Sequence, residues 1–144
     1  CSSDLRDYLK KHVAPNRSEH MAEARNILRR GQEAREQINI LGDDGVPVDY
    51  HVVFWKSEVI DFILLQQDAF DPVDYNTSLE RQQFMLDLVL LVCRADMHFE
   101  HFEEVRSYFN RIIHTCKQMN YAAFQSEAFH KFHHQLEQIL QERT

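Results

Sequence analysis

Apolar residues recur along most of this chain every three or four positions, which is the spacing of one face of an α-helix. The pattern is clearest between Phe99 and Met119. Read in the same way, the whole sequence predicts six helices. They cover roughly residues 4–13, 18–41, 49–67, 77–96, 99–119 and 120–142. The expected fold class is therefore all-α, a bundle of about five to six helices.

Residues that start or stop helices set these limits. Pro15 is expected to end the first helix, because proline disfavours helical geometry in the residue before it. Gly42 suits the left-handed position after the second helix, and Asp49 is expected to cap the third. Thr77 and Glu80 have the spacing of a capping box at the start of the fourth.

Two further positions carry local predictions. Gly31 lies inside the pattern of the second helix, where glycine costs about 1 kcal/mol relative to alanine. We therefore expect either a tightly packed neighbour at Gly31 or a bend in the helix. Ser126 is a suitable cap for a restart of the last helix after a first turn at residues 121–125.

Composition narrows the class of protein. The 144 residues are 44% hydrophobic, which suits one domain with its own core, and three glycines and three prolines are too few for an all-β fold. The net charge of -7 leaves no broad basic surface, so nucleic acid is not an expected partner. No apolar run approaches the roughly 20 residues of a membrane span. Cys93 and Cys116 occupy apolar positions and are expected to be buried thiols.

Side chains that often carry chemistry are present without the motifs that use them. His98 and His101, and His130 and His134, have spacings found in metal sites, but a Glu-x-x-His motif occurs only at Glu127. Solvated or interface histidines are therefore expected rather than a metal site. The chain has neither GxSxG nor GxxxxGK[ST], so it has no nucleophile elbow and no phosphate loop of its own. No catalytic residue and no metal ligand is assigned.

The end of the third predicted helix is the strongest candidate for a binding site. A strongly apolar helix ends there in Gln66 and Gln67, and Phe70 follows in a polar loop. In one interpretation Phe70 folds back into the core and the glutamines only cap the helix. In the other, Phe70 lies at the surface and stacks on a flat partner, to which the amides donate hydrogen bonds.

This segment resembles a known family. The sequence LQQDAFD at residues 65–71, with Val73 and Asp74 after it, resembles the "FLQQNAF-x-x-VD" stretch of the catalytic A subunit (alpha chain) of V/A-type rotary ATPases and ATP synthases. Residues 79–86 are similar to the "EKQ-x-x-ML" that follows it there, and residues 27–39 to the family's preceding helix. The resemblance covers essentially the whole chain and is sharpest over residues 50–92.

The resemblance implies a single C-terminal helical domain over residues 1–144, and since the chain begins at Cys1 rather than methionine, we expect a piece of a longer chain. The domain would line the adenine side of a nucleotide pocket with Ala69 and Phe70, and with Gln66 and Gln67 nearby. ATP or ADP with Mg²⁺ would be the cofactor of the full-length subunit. The family's catalytic residues lie upstream, so this chain alone is expected neither to catalyse nor to hold a nucleotide tightly.

The resemblance also implies an activity and partners. The complete enzyme would synthesise or hydrolyse ATP while transporting H⁺ or Na⁺, and the domain would contact the B subunits and the central stalk subunit. It would be cytoplasmic and peripheral to the membrane, which it would reach only through the assembled complex. Two alternatives remain open, namely a free-standing helical protein–protein interaction module and a histidine–carboxylate metalloenzyme.

Overall fold

A computed structural model describes the backbone of residues 14–67 and 75–144 and the side chains of residues 18–63 and 79–144. These residues form five α-helices and no strand, which confirms the predicted all-α bundle. The helices are α1 (Ala14–Leu41), α2 (Val48–Gln67), α3 (Tyr75–Arg94), α4 (Phe102–Tyr121) and α5 (Glu127–Gln141). A short 3₁₀ turn, Asp43–Gly45, connects α1 to α2. The helix predicted over residues 4–13 lies outside the described residues.

The first three helices begin earlier than the sequence predicted. The described part of α1 begins at Ala14 and includes Pro15, so Pro15 belongs to this helix. α2 starts at Val48, so the prediction that Asp49 caps it was wrong, and Asp49 lies in the first turn. α3 starts at Tyr75, so Thr77 lies within the helix and is not its cap.

Two other boundaries agree with the sequence in part. Gly42 has the predicted positive φ, 86°, but its ψ of 164° is extended rather than left-handed helical. Its amide donates to the carbonyl of Ile38 at 2.7 Å. Ser126 caps α5 as predicted, and its side chain accepts a hydrogen bond from the Phe129 amide at 3.2 Å. The turn before it is not the start of that helix, because Asn120 and Tyr121 still belong to α4.

The core lies where α2, α3 and α4 meet, and α5 closes one side of it. Its largest fully buried side chains are Val59, Ile60, Ile63, Met85, Leu86, Val89, Leu90, Phe109, Ile112, Met119, Phe129 and Leu136. Cys93 and Cys116 are buried, as predicted, and burial raises the pKa of each thiol to about 12. Neither thiol is ionised near neutral pH, so both act as small apolar side chains.

α1 crosses α2 at Gly31, where the two helices approach closely. A Cβ atom placed on Gly31 would lie 2.0 Å from Ser57 Oγ and 2.1 Å from Ser57 Cβ. Ser57 is buried, and its hydroxyl donates to the carbonyl of Phe54 at 2.6 Å. Of the two possibilities for Gly31, the structure therefore shows the tightly packed neighbour, and α1 runs unbroken through this position.

Candidate functional site

The four residues predicted to face a nucleotide lie where α2 leads into α3. Gln66 and Gln67 form the end of α2, but their side chains lie outside the described residues, as do Ala69 and Phe70. Whether Phe70 is buried or exposed therefore stays a prediction. The structure does describe how the two helices on either side of this segment are held.

The helix that leads into the segment is anchored along one face. Near its end, Ile60 and Ile63 are fully buried in the core. One turn earlier, Lys56 Nζ donates to the carbonyl of Ala95 at 2.9 Å, just past the end of α3. Burial lowers the pKa of Lys56, and burial together with the neighbouring Asp61 raises the pKa of Glu58. These contacts join α2 to the C-terminal end of α3.

The helix that leads out of the segment is held by Arg81. Its Nη2 atom donates to the carbonyls of Met119 at 2.6 Å and of Ala122 at 2.8 Å, and also to the carbonyl of Asn120. The last carbonyls of a helix have no intrahelical donor, so Arg81 satisfies the C-terminal end of α4. Burial lowers the pKa of Arg81, yet a guanidinium stays charged in proteins. A positive charge thus lies at the negative end of the α4 dipole.

An aromatic cluster lies beside Arg81 at the corner between α4 and α5. The ring centroids of Phe84 and Phe129 are 5.4 Å apart, and that of Phe124 lies 5.9 Å from Phe84 and 5.3 Å from Phe129. Arg81 Cζ lies 5.9 Å from the Phe129 centroid. Nothing in the sequence pattern distinguishes Arg81 from a solvated surface cation, because its polar neighbours suit an exposed helix face. Its role becomes visible only in three dimensions.

An ion pair and a histidine–carboxylate contact hold α1 along α3. Arg94 Nη2 lies 2.6 Å from Glu23 Oε2, and Arg94 Nε donates to Glu23 Oε1 at 2.9 Å. The hydrogen bond from Arg94 lowers the pKa of Glu23. Further along, His20 Nδ1 lies 2.8 Å from Asp87 Oδ1. These pairs are partly exposed, so they orient α1 more than they stabilise it.

The tip of the hairpin between α1 and α2 is a second candidate surface. Ile40 and Leu41 are 74% and 55% exposed, which is unusual for large apolar side chains next to each other. Asp43 and Asp44 follow them in the 3₁₀ turn. The sequence periodicity does not reveal this surface, because Leu41 also continues the apolar pattern of α1.

The hairpin tip is braced against α4. His51 is only 4% exposed, and its Nε2 lies 2.9 Å from the carbonyl of Asp43, so this nitrogen carries a hydrogen and donates. The His51 ring stacks on Phe102 with centroids 5.2 Å apart. Arg106 Cζ lies 5.7 Å from the same Phe102 ring, and its Nη2 lies 3.7 Å from Asp43 Oδ2. A cleft of about 300 Å³ opens beside these groups.

Two of the histidines with metal-like spacing lie beside carboxylates. His98 Nε2 lies 3.7 Å from Asp96 Oδ2, and His134 Nδ1 lies 4.0 Å from Glu137 Oε2. Among the side chains that the structure describes, no three histidines, cysteines or carboxylates lie close enough to hold a metal ion. This part of the chain thus gives the metalloenzyme hypothesis no support. In the described segments, no helix has the length and apolar character needed to cross a membrane.

Comparisons with known proteins agree with one another. The model of the family described as "C-terminal domain of V and A type ATP synthase" matches residues 6–109. The V-type ATP synthase alpha chain of Borrelia duttonii (strain Ly) is 37% identical over 120 residues, which are 83% of this chain and 21% of that protein. The alpha chain of Borrelia turicatae (strain 91E135) is 32% identical over 126 residues, 88% of this chain and 22% of its own length.

A more distant relative has the same description. The V-type ATP synthase alpha chain of Treponema denticola (strain ATCC 35405) is 31% identical over 111 residues, 77% of this chain and 19% of that protein. The chain therefore spans about a fifth of the length of the curated relatives it matches. No solved structure matches it.

Proposed function

The chain belongs to the family of C-terminal domains of V and A type ATP synthases, and we propose that it acts within an alpha chain whose complex couples ATP synthesis or hydrolysis to the transport of H⁺ or Na⁺. The observation that carries the proposal is the family match over residues 6–109. The three relatives described above, each matched along most of the chain, are named as alpha chains. No observation favours the alternative of a free-standing interaction module.

We infer that the domain lines the adenine side of a nucleotide site with Ala69 and Phe70, and with Gln66 and Gln67 nearby. The nucleotide and its Mg²⁺ would be held by upstream parts of the complete subunit, because this sequence has no phosphate loop. The anchoring of α2 and α3 supports the inference, since helices fixed at both ends of residues 68–74 can hold a side chain against a rigid ligand.

Replacing Phe70 with alanine in the complete alpha chain, within its assembled complex, tests this inference. The loss of ring stacking and of apolar contact is expected to raise the KM for ATP about tenfold. The phosphate-binding groups are untouched, so kcat is expected to change less than about twofold. Steady-state hydrolysis over a range of MgATP concentrations gives both constants.

Phe70→Tyr is the matched control, because it keeps an aromatic ring and is expected to keep the KM of the unchanged enzyme. Tyr121→Ala removes an aromatic ring that is 76% exposed, and it controls for general loss of an aromatic side chain. An unchanged KM for Phe70→Ala would contradict the assignment of an adenine contact.

We also propose that the hairpin tip contacts the central stalk subunit. Ile40 and Leu41 supply an exposed apolar surface, and Asp43 and Asp44 add negative charge that complements a basic helix. The brace of His51 on α4 supports the proposal, because a braced tip can transmit a push to the rest of the bundle. The B subunits would be the other neighbours in the complex.

The double substitution of Ile40 and Leu41 by aspartate, in the assembled complex, tests whether the hairpin tip contacts the central stalk subunit. It removes apolar contact and adds charge, so ATP-driven ion transport is expected to fall at least about threefold relative to ATP hydrolysis. The measurement is the ratio of ion flux to hydrolysis in vesicles. Leu91→Asp is the matched control, since Leu91 has the same 55% exposure as Leu41 but lies on α3. An unchanged ratio, or an equal fall for Leu91→Asp, would contradict the proposal that the hairpin tip contacts the central stalk subunit.

A further inference from the structure

A cleft of about 540 Å³ lies between α1 and α2, beside the hairpin tip. Its walls include Ala34 and Glu36 of α1 and Asp49, Tyr50 and Val53 of α2. Ile40, one of the exposed apolar residues of the tip, follows Glu36 by four positions, so the two side chains lie on the same face of α1. The cleft and the apolar surface of the tip are therefore neighbours.

The bottom of this cleft is apolar, and its edge carries an aromatic ring. Ala34 is buried and Val53 is half-buried, whereas Tyr50 is 39% exposed. An α-helix is about 10 Å across and would fill 540 Å³ within little more than one turn. The cleft is therefore too small for a helix, but it can take a long side chain that projects from one.

Unpaired negative charge lies at the end of the cleft nearest the hairpin tip. Three carboxylates line the cleft, those of Glu33, Glu36 and Asp49, together with one cation, Arg30. Glu33 is paired with Arg29 at 2.9 Å. Within residues 18–63 and 79–144, neither Glu36 nor Asp49 has a hydrogen bond or an ion pair through its carboxylate. Arg30 lies six residues before Glu36, about 9 Å along the helix axis, and so does not neutralise this end.

An arginine side chain matches all of these features. Its apolar stem suits the contact with Ala34 and Val53, and its planar guanidinium stacks on aromatic rings such as that of Tyr50. Its N–H groups pair with carboxylates in a defined geometry, whereas lysine offers only a point charge. An acidic or apolar side chain would leave Glu36 and Asp49 without a partner.

We propose that this cleft receives an arginine side chain from a basic helix of the subunit that the hairpin tip contacts. The inference rests on the proposed contact between the tip and the central stalk subunit, and it adds the chemistry of recognition. Glu36 and Asp49 accept hydrogen bonds from the guanidinium, and Tyr50 stacks on it. Ile40, next to the cleft, covers apolar side chains of the same helix.

The first test removes the two charges in the complete alpha chain, within its assembled complex. Glu36→Gln together with Asp49→Asn is expected to lower the ratio of ion flux to ATP hydrolysis at least about threefold at about 0.05 M KCl. At about 0.5 M KCl the difference from the original complex is expected to shrink below about 1.5-fold, because salt screens the contact. Glu19→Gln with Glu127→Gln is the matched control, since these glutamates are exposed and lie outside the cleft, and its ratio is expected to stay unchanged.

Substitutions of Tyr50 test the stacking contact separately. Tyr50→Ala removes the ring and is expected to lower the same ratio at least about twofold. Tyr50→Phe keeps a ring and is expected to retain more of the ratio than Tyr50→Ala does. Equal losses for the two variants would overturn the stacking contact.

A cross-link identifies the occupant of the cleft. The photoreactive amino acid benzoylphenylalanine is placed at position 50 in the assembled complex, and mass spectrometry identifies the attached peptide. We expect a helical segment of the central stalk subunit that contains an arginine within about one turn of the attachment point. The same group at position 32, where Gln32 is exposed on α1 outside the cleft, is expected not to yield this peptide.

The outcomes distinguish the cleft from the tip. If the double substitution of Ile40 and Leu41 lowers the ratio and the charge-removing variant does not, the cleft proposal is overturned and the tip contact stands. A loss that is equal at low and high salt, or a cross-link to a segment without arginine or to another subunit, also overturns the cleft proposal. If the double substitution at the tip has no effect, the tip contact itself fails, and the inference falls with it.

Discussion

Replacing Phe129 with alanine is expected to lower the free energy of unfolding of the domain by about 3–5 kcal/mol. Phe129 is fully buried in the first turns of α5, and its ring contacts Phe84, Phe124 and the guanidinium of Arg81. Truncation removes the apolar contacts of one ring and leaves a cavity beside a partly buried charge. Urea denaturation followed by circular dichroism measures the change.

Two further variants show whether the loss of stability in Phe129→Ala comes from the buried ring. Phe129→Leu keeps most of the apolar volume and is expected to cost less than half as much as Phe129→Ala. Tyr121→Ala removes a ring at the same corner that is 76% exposed, and it is expected to change the free energy of unfolding by less than about 0.5 kcal/mol. Equal losses for Phe129→Ala and Tyr121→Ala would show that the aromatic cluster is not the anchor of α5.

Replacing Gly31 with alanine is expected to destabilise the domain by about 2–3 kcal/mol, although alanine is the better helix former by about 1 kcal/mol. The new methyl group would meet Ser57 Oγ at 2.0 Å and Ser57 Cβ at 2.1 Å, so α1 and α2 must move apart. The same urea titration measures the loss. Gln32→Ala, an exposed change at the next position of α1, is the control and is expected to be nearly neutral.

Substitutions of Ser57 combined with Gly31→Ala show which atoms of Ser57 clash with the new methyl group. Ser57→Gly removes both clashing atoms and is expected to recover part of the stability lost in Gly31→Ala, after its own cost of about 1 kcal/mol in a helix. Ser57→Ala removes only Oγ and leaves Cβ in place, so little recovery is expected. Equal recovery by both changes would mean that the hydroxyl alone, and not close backbone approach, excludes a side chain at Gly31.

Much of the fold could be predicted because helical periodicity is a local property. The spacing of apolar residues from Phe99 to Met119 placed α4 within a few residues of its observed limits, and Ser126 correctly marked the start of α5. Helix starts were harder to predict. Pro15, Asp49 and Thr77 all suit more than one position near a helix start, and local sequence does not decide between them.

The candidate site was predictable only in its location along the chain. The motif at residues 65–71 indicates where a nucleotide contact belongs, but the contacts that hold the neighbouring helices join positions far apart in sequence. Arg81 meets the end of α4, and Lys56 meets the carbonyl of Ala95. The exposure of Ile40 and Leu41 could not be predicted from periodicity for a related reason. A sequence pattern shows that a residue is apolar, but it does not show whether another part of the protein covers it.

The arginines and lysine that join the helices bind two kinds of acceptor, carboxylates and peptide carbonyls, and these respond differently to acid. Arg94 and Arg111 bind Glu23 and Glu142 and lower the pKa of each carboxyl group. These pairs contribute to stability above the ordinary glutamate pKa, and their contribution is lost as pH falls through the lowered values. Peptide carbonyls do not titrate, so the hydrogen bonds of Arg81 and Lys56 to carbonyl oxygens keep their acceptors. Acidification therefore weakens these two ion pairs and leaves the hydrogen bonds to the carbonyls in place.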